Sequence, residues 1–225
     1  MSKRGLEFLF SLGRLLFVII FMALSTGRNF HAQANEQIPK QRILFIGDSL
    51  TEGLGVTKEE AYPALIEKKL RQRYPQAGLE VINAGISGST TASGLRVLRF
   101  HLRNPPQVLV LALGANDALR GFPAKVTEKN LEETIDLAQA QKIPILLVGM
   151  QAPPNYGKAY EKEFSALFAR LEKKKKVPLI PFLLKDVGGE KNRNLADGIH
   201  PNAEGHTIMA ETVLQGLLPL LKVHH

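Results

Sequence analysis

The sequence predicts an α/β fold, a mostly parallel sheet with helices on both faces in three αβα layers. Three observations lead there. Short apolar runs alternate with helix-periodic segments along the chain. The apolar runs are continuous rather than alternating, as in strands buried on both faces. The runs and helical segments follow one another as β-α-β-α, which is how parallel strands are joined.

In order, the expected strands are 43–46 (Ile-Leu-Phe-Ile), 79–82, 108–113, 145–148 and 179–182. Between them, helical spacing marks 61–74, 93–102, 127–140 and 158–175, with a last helix over 203–220. Tyr62-Pro63 suits a helix start, and Leu65, Ile66 and Leu70 repeat at helical spacing behind it. The run Lys173 to Lys176 ends the fourth helix, where cations match the negative helix terminus, so it reads as a solvated face. At 225 residues with 44% hydrophobic and 22% charged side chains, the chain suits one globular domain with its own core. No internal repeat or low-complexity tract interrupts it.

The first residues read differently. Lys3, Arg4 and Arg14 precede an apolar run over 15–24, and Ala32-Gln33-Ala34 follows. A positive region, an apolar region and an A-x-A site make a secretory signal peptide over 1–34. Arg28 and the polar stretch before Ala32 leave an uncleaved N-terminal membrane anchor open. Residues 35–41 form a short tether and 42–222 the folded domain. Export implies a periplasmic or secreted protein. Losing residues 1–34 removes Lys3, Arg4, Arg14, Arg28 and Glu7, lowering the formal charge of +8 by three. No cysteine is present, which excludes disulfides, a thiol nucleophile, zinc–thiolate sites and a lipid-modified cysteine. The basic residues carry no interleaved aromatics, so no nucleic-acid partner is expected.

Four short blocks carry chemistry. Gly47-Asp48-Ser49-Leu50 ends the first strand, Asn83-Ala84-Gly85 the second, and Gly114-Ala115-Asn116-Asp117 the third. Asp197-Gly198-Ile199-His200 lies between the fifth strand and the last helix. A serine hydroxyl is a weak nucleophile that needs a base within reach and a third group to orient the base. Ser49, His200 and Asp197 supply those three. Each block alone has an ordinary reading: a Gly-Asp turn, a strand-ending turn, or a helix cap at Asp197 before Pro201 and Asn202. All four, however, follow the carboxyl ends of strands, where open α/β sheets bind ligands.

Together the blocks resemble the SGNH (GDSL) hydrolase family, in its arylesterase, thioesterase I and lysophospholipase branch, from about Arg42 to Leu221. The resemblance implies a flavodoxin-like five-stranded parallel sheet of order 2-1-3-4-5. It also implies catalytic Ser49, Asp197 and His200, and an oxyanion hole from the N–H groups of Ser49 and Gly85 with the Asn116 amide. Asp48 is then a turn-former. Segments 119–123 and 150–157 resemble that branch as well, and suggest Leu119, Phe122, Met150 and Pro153 as substrate-binding residues, unless they merely cap the core.

The implied activity is a serine esterase acting on aryl or alkyl esters, acyl thioesters or lysophospholipids, with no cofactor. A carbohydrate O-acetylesterase and an idle binding module remain as alternatives. The partner is a small-molecule acyl ester or lipid, with weak membrane-surface contact and a monomeric chain. A metal site from His200, Glu204 and His206 is disfavoured, because Pro201 and Gly205 interrupt the helix that would align them. His206 is read as a surface residue.

Overall fold

A computed structural model describes residues 40–223. The expected signal peptide and most of the expected tether lie outside the described residues. Gln41, the last tether residue, already pairs with Leu79 in the sheet. Five strands, β1 (Gln41–Gly47), β2 (Leu79–Gly85), β3 (Val108–Ala112), β4 (Ile145–Val148) and β5 (Leu179–Ile180), form one parallel sheet of order β2-β1-β3-β4-β5. The helices are α1 (Ser49–Glu52), α2 (Tyr62–Arg73), α3 (Gly94–His101), α4 (Ala115–Leu119), α5 (Ala124–Ala140), α6 (Lys158–Lys175) and α7 (Ala203–Leu217).

The apolar strand runs are the centre of the core. Ile43 to Ile46 and all of β3 are essentially inaccessible, because helices cover both faces of the sheet. α2 packs on α7, while α3 and α6 pack on α5. In α6, Phe164, Leu167, Phe168 and Leu171 recur at helical spacing on the buried side. The register aligns Gly47 with Gly85 on one side and with Ala112 on the other. Three strands therefore end level, and their loops open together where the strand order reverses.

Boundaries depart from expectation for local reasons. β5 stops at Ile180 rather than at 182, because Pro181 has no N–H for a ladder bond. The last helix ends at Leu217, and Pro219 sits in a 3₁₀ turn, Leu218–Leu220. The start of the third expected helix moves the other way, from 127 to Ala124, directly after Pro123. α1 and α4 are only four and five residues long, too short for a periodic signature.

His206 is not on the surface. It is 1% exposed, its Nδ1 accepts the Tyr62 N–H at 3.2 Å, and its ring stacks on that of Tyr62. Tyr62 opens α2, so this bond satisfies one of the N–H groups a helix start leaves unpaired. Burial pushes the imidazole from 6.5 down to about 4. A depressed histidine pKa gives stability that is present above about pH 6.5 and lost as pH falls to about 4. The expected loss over that window is about 3 kcal/mol. His206→Phe keeps the ring but removes the titration. Urea unfolding at several pH values should give a flatter profile for the variant, and parallel profiles would refute this role.

Candidate active site

Ser49 is the first residue of α1, and Asp48 caps the helix. The Asp48 Oδ1 accepts the Leu50 N–H at 3.0 Å, and its carbonyl accepts from Thr51 and Glu52. Asp48 is wholly buried and its Oδ2 has no hydrogen-bond partner among the described residues, and burial pushes its carboxyl up to about 6. That shift acts against His206: its stabilising share is present below the ordinary 3.8 and lost as pH rises through about 6.

The Ser49 Oγ lies 3.0 Å from His200 Nε2, across 151 positions of sequence. His200 Nδ1 lies 2.7 Å from Asp197 Oδ2. The other oxygen, Oδ1, accepts the N–H groups of Ile199 and His200 at 2.9 and 3.0 Å. These bonds hold the Asp197 carboxyl down at about 2, so it stays ionised through the whole range where the protein would work. The loop is closed by Leu195 N–H donating to the His200 carbonyl at 2.7 Å, and by Asn194 bridging to Pro201. Asn194 is anchored in turn through its amide to the Val187 and Glu190 carbonyls. A hydroxyl with a base in reach and a carboxylate orienting that base is the arrangement that activates a serine.

Beside this relay opens a cavity of about 600 Å³. Ser49, His200, Asn116, Leu119, Met150 and Pro153 all lie on its wall. Two expected members do not. Gly85 is off the wall, and its N–H is taken by Asn83 Oδ1 at 3.0 Å. Its lack of a side chain serves packing instead, since a Cβ there would come within 2.3 Å of the Glu52 nitrogen. Phe122 is also off the wall. The Phe122 N–H is donated to the Asp117 carbonyl, and its own carbonyl accepts the Tyr160 hydroxyl at 2.8 Å.

A second glycine, Gly88, is placed differently. It lines the cavity, sits at φ +77°, and its N–H has no partner among the described residues. That left-handed conformation favours glycine. The Asn116 amide and the Ser49 N–H are likewise without a protein acceptor among the described residues. Leu54, Phe182 and Ile199 are also on the wall, apolar residues that no sequence motif marks as substrate-facing. The metal cluster does not assemble: His206 is buried against Tyr62, and Glu204 pairs with Arg193 at 3.4 Å.

Comparison with known proteins gives the family of the chain. A sequence model of the GDSL-like lipase/acylhydrolase family matches residues 45–208. Esterase TesA of Pseudomonas aeruginosa is 36% identical over 187 residues, covering 83% of this chain and 92% of its own. Thioesterase 1/protease 1/lysophospholipase L1 of Escherichia coli (strain K12) is 36% identical over 180 residues, covering 80% and 84%. A crystal structure of TesA superposes with a TM-score of 0.76 at 37% identity, covering 80% of this chain and all of that one. The matched segment runs from β1 through Ser49, Asn116 and His200 into α7, and on that extent the chain belongs to the GDSL-like lipase/acylhydrolase family.

Proposed function

We propose that Ser49 attacks the acyl carbonyl of an ester, with His200 as base and Asp197 as the group that orients it. The chain is a serine esterase, a carboxylic ester hydrolase, as its family membership and its esterase and thioesterase relatives indicate. The observation that carries the residue assignment is the Ser49–His200–Asp197 relay, at 3.0 and 2.7 Å, opening on the apolar cavity.

The steps follow from that relay. As the Ser49 Oγ bonds to the carbonyl carbon, its proton passes to His200 Nε2, and Asp197 holds the Nδ1–H tautomer and steadies the imidazolium. The carbonyl oxygen becomes an oxyanion, met by the N–H groups of Ser49 and Gly88 and the Asn116 amide. Collapse expels the alcohol or thiol, which takes the proton from His200, and leaves an acyl ester on Ser49. Water, deprotonated by His200, attacks that ester; collapse breaks the bond to Ser49 Oγ, which takes the proton back from His200, and releases the carboxylic acid.

The substrates are small-molecule acyl esters, acyl thioesters or lysophospholipids with an apolar acyl group. Leu54, Leu119, Met150, Phe182 and Ile199 on the wall favour a hydrocarbon chain over a sugar, so the O-acetyl carbohydrate reading gains no support. Residues 1–34 act in export, and the tether that follows ends ahead of Gln41, which already belongs to β1 of the hydrolase domain. No helix among the described residues is long and apolar enough to cross a membrane.

A panel of p-nitrophenyl esters tests the substrate reading. Leu119→Asn removes apolar wall at the cavity mouth, and each methylene contact is worth about 0.8 kcal/mol at most. Loss of about two such contacts should lower kcat/KM for octanoate about tenfold and leave acetate nearly unchanged. An equal loss at every chain length would remove the acyl-lining role.

A further inference from the structure

The geometry points to Glu52 and Arg120 as positioning residues that clamp the Ser87–Gly88 peptide between the helices carrying Ser49 and Asn116. This rests on the proposed role of Gly88 and Asn116 as oxyanion donors.

Three donors on three different segments must converge on one oxygen atom. Ser49 is on α1 and Asn116 on α4, both placed by neighbouring strand ends. Gly88 is on a loop, exposed, and free of the side-chain restraint that narrows other residues. Over 86–89, the backbone–backbone bonds among the described residues are those from the Ile86 N–H to the Gly47 carbonyl and from the Ser89 N–H to the Ile86 carbonyl. Neither bond fixes the plane of the peptide that presents the Gly88 N–H.

Two charged side chains do. Glu52, the last residue of α1, accepts the Ser87 N–H at 2.7 Å through Oε2, which also takes the Ser87 hydroxyl. Arg120, directly after α4, donates from Nη2 to the Gly88 carbonyl at 3.0 Å. The bonds flank the Ser87–Gly88 peptide on both sides, one from each donor-bearing helix. Farther along, the buried Asp117 carboxylate accepts the Thr91 N–H at 2.9 Å and the Thr91 hydroxyl, tying the end of the same loop to α4.

Glu52 and Arg120 have no ion pair among the described residues, and neither lines the cavity. Their charges are therefore directed at this loop and not at each other or at substrate. Charge-assisted hydrogen bonds are the stronger kind, and they hold direction as well as distance. Exposed contacts of this sort add little to overall stability. Their effect falls on orientation, and a displacement of about 1 Å in a catalytic group can cost up to about a hundredfold in rate.

The test combines kinetics on p-nitrophenyl butyrate with inhibition by butylboronic acid. The boronate forms a tetrahedral adduct on an activated serine and so reports transition-state binding. Arg120→Ala and Glu52→Ala should each lower kcat about tenfold and raise the boronate Ki by a similar factor. KM should stay within about twofold and the thermal midpoint within about 2 °C, since neither residue touches substrate or core. Arg120→Lys, which retains one donor, should recover most of the loss. An unchanged kcat and Ki in both alanine variants overturns the clamp, as does a rate loss that follows the thermal midpoint while Ki holds. Asn116→Ala separates this from the site itself. If that variant is slow and Arg120→Ala is not, only the clamp fails; if Asn116→Ala matches wild type, the oxyanion assignment fails with it.

Discussion

Ser49→Ala is expected to abolish ester turnover, with kcat falling by about 10⁶ if the relay works as a unit. The fold should be untouched, because among the described residues the Ser49 side chain bonds only to His200, and the α1 cap belongs to Asp48. His200→Ala should cost about as much, since the hydroxyl then has no base to receive its proton. Circular dichroism and a thermal midpoint close to wild type would show that the loss is chemical. Retention of more than a trace of wild-type rate in a clean Ser49→Ala preparation would dismiss the serine.

The second large effect is Asp197→Asn, with an expected loss of up to about 10⁴ in kcat. The local bonds give the reason. Oδ1 already accepts two backbone N–H groups, from Ile199 and His200. An asparagine keeps those bonds by placing its oxygen there, which turns its NH₂ toward His200 Nδ1. Nδ1 must then accept, so the ring carries its proton on Nε2 and can no longer take one from Ser49. Steady-state rates across pH 5–9 check this. A variant with wild-type kcat throughout would make Asp197 a loop cap and nothing more. Substrate affinity should change little, because Asp197 is absent from the cavity wall.

Much of the fold was legible because both faces of the sheet are covered. Buried strands such as Ile43 to Ile46 then read as unbroken apolar runs with Gly or Pro nearby. The strand order was legible only through family resemblance, since periodicity says nothing about which strands neighbour each other. Ser49, Asp197, His200 and Asn116 stood out because each lies in a short polar block directly after an apolar run or before a helix. Gly85 and Gly88 could not be told apart that way. Gly88 is the proposed donor because the Gly85 N–H is already taken by the Asn83 side chain, a contact that no sequence pattern reveals. Phe122 misled for a related reason: an apolar residue on a loop near the site gives no hint that its backbone is bonded away from it. His206 looked like a surface residue because its partner, the Tyr62 N–H, lies 144 positions away. The Glu52 and Arg120 contacts are equally silent in sequence, being side chain to backbone across 35 and 32 positions.

The central claim is that Ser49 carries the acyl group between the two halves of the reaction. It is tested most directly by treating the protein with a fluorophosphonate and mapping the adduct by peptide mass spectrometry, since only an activated serine reacts at a useful rate. One adduct per chain is expected, on the peptide containing Gly47-Asp48-Ser49-Leu50, with activity lost in step and labelling absent from Ser49→Ala and His200→Ala. An adduct on another residue, or full inactivation with Ser49 unmodified, would contradict it.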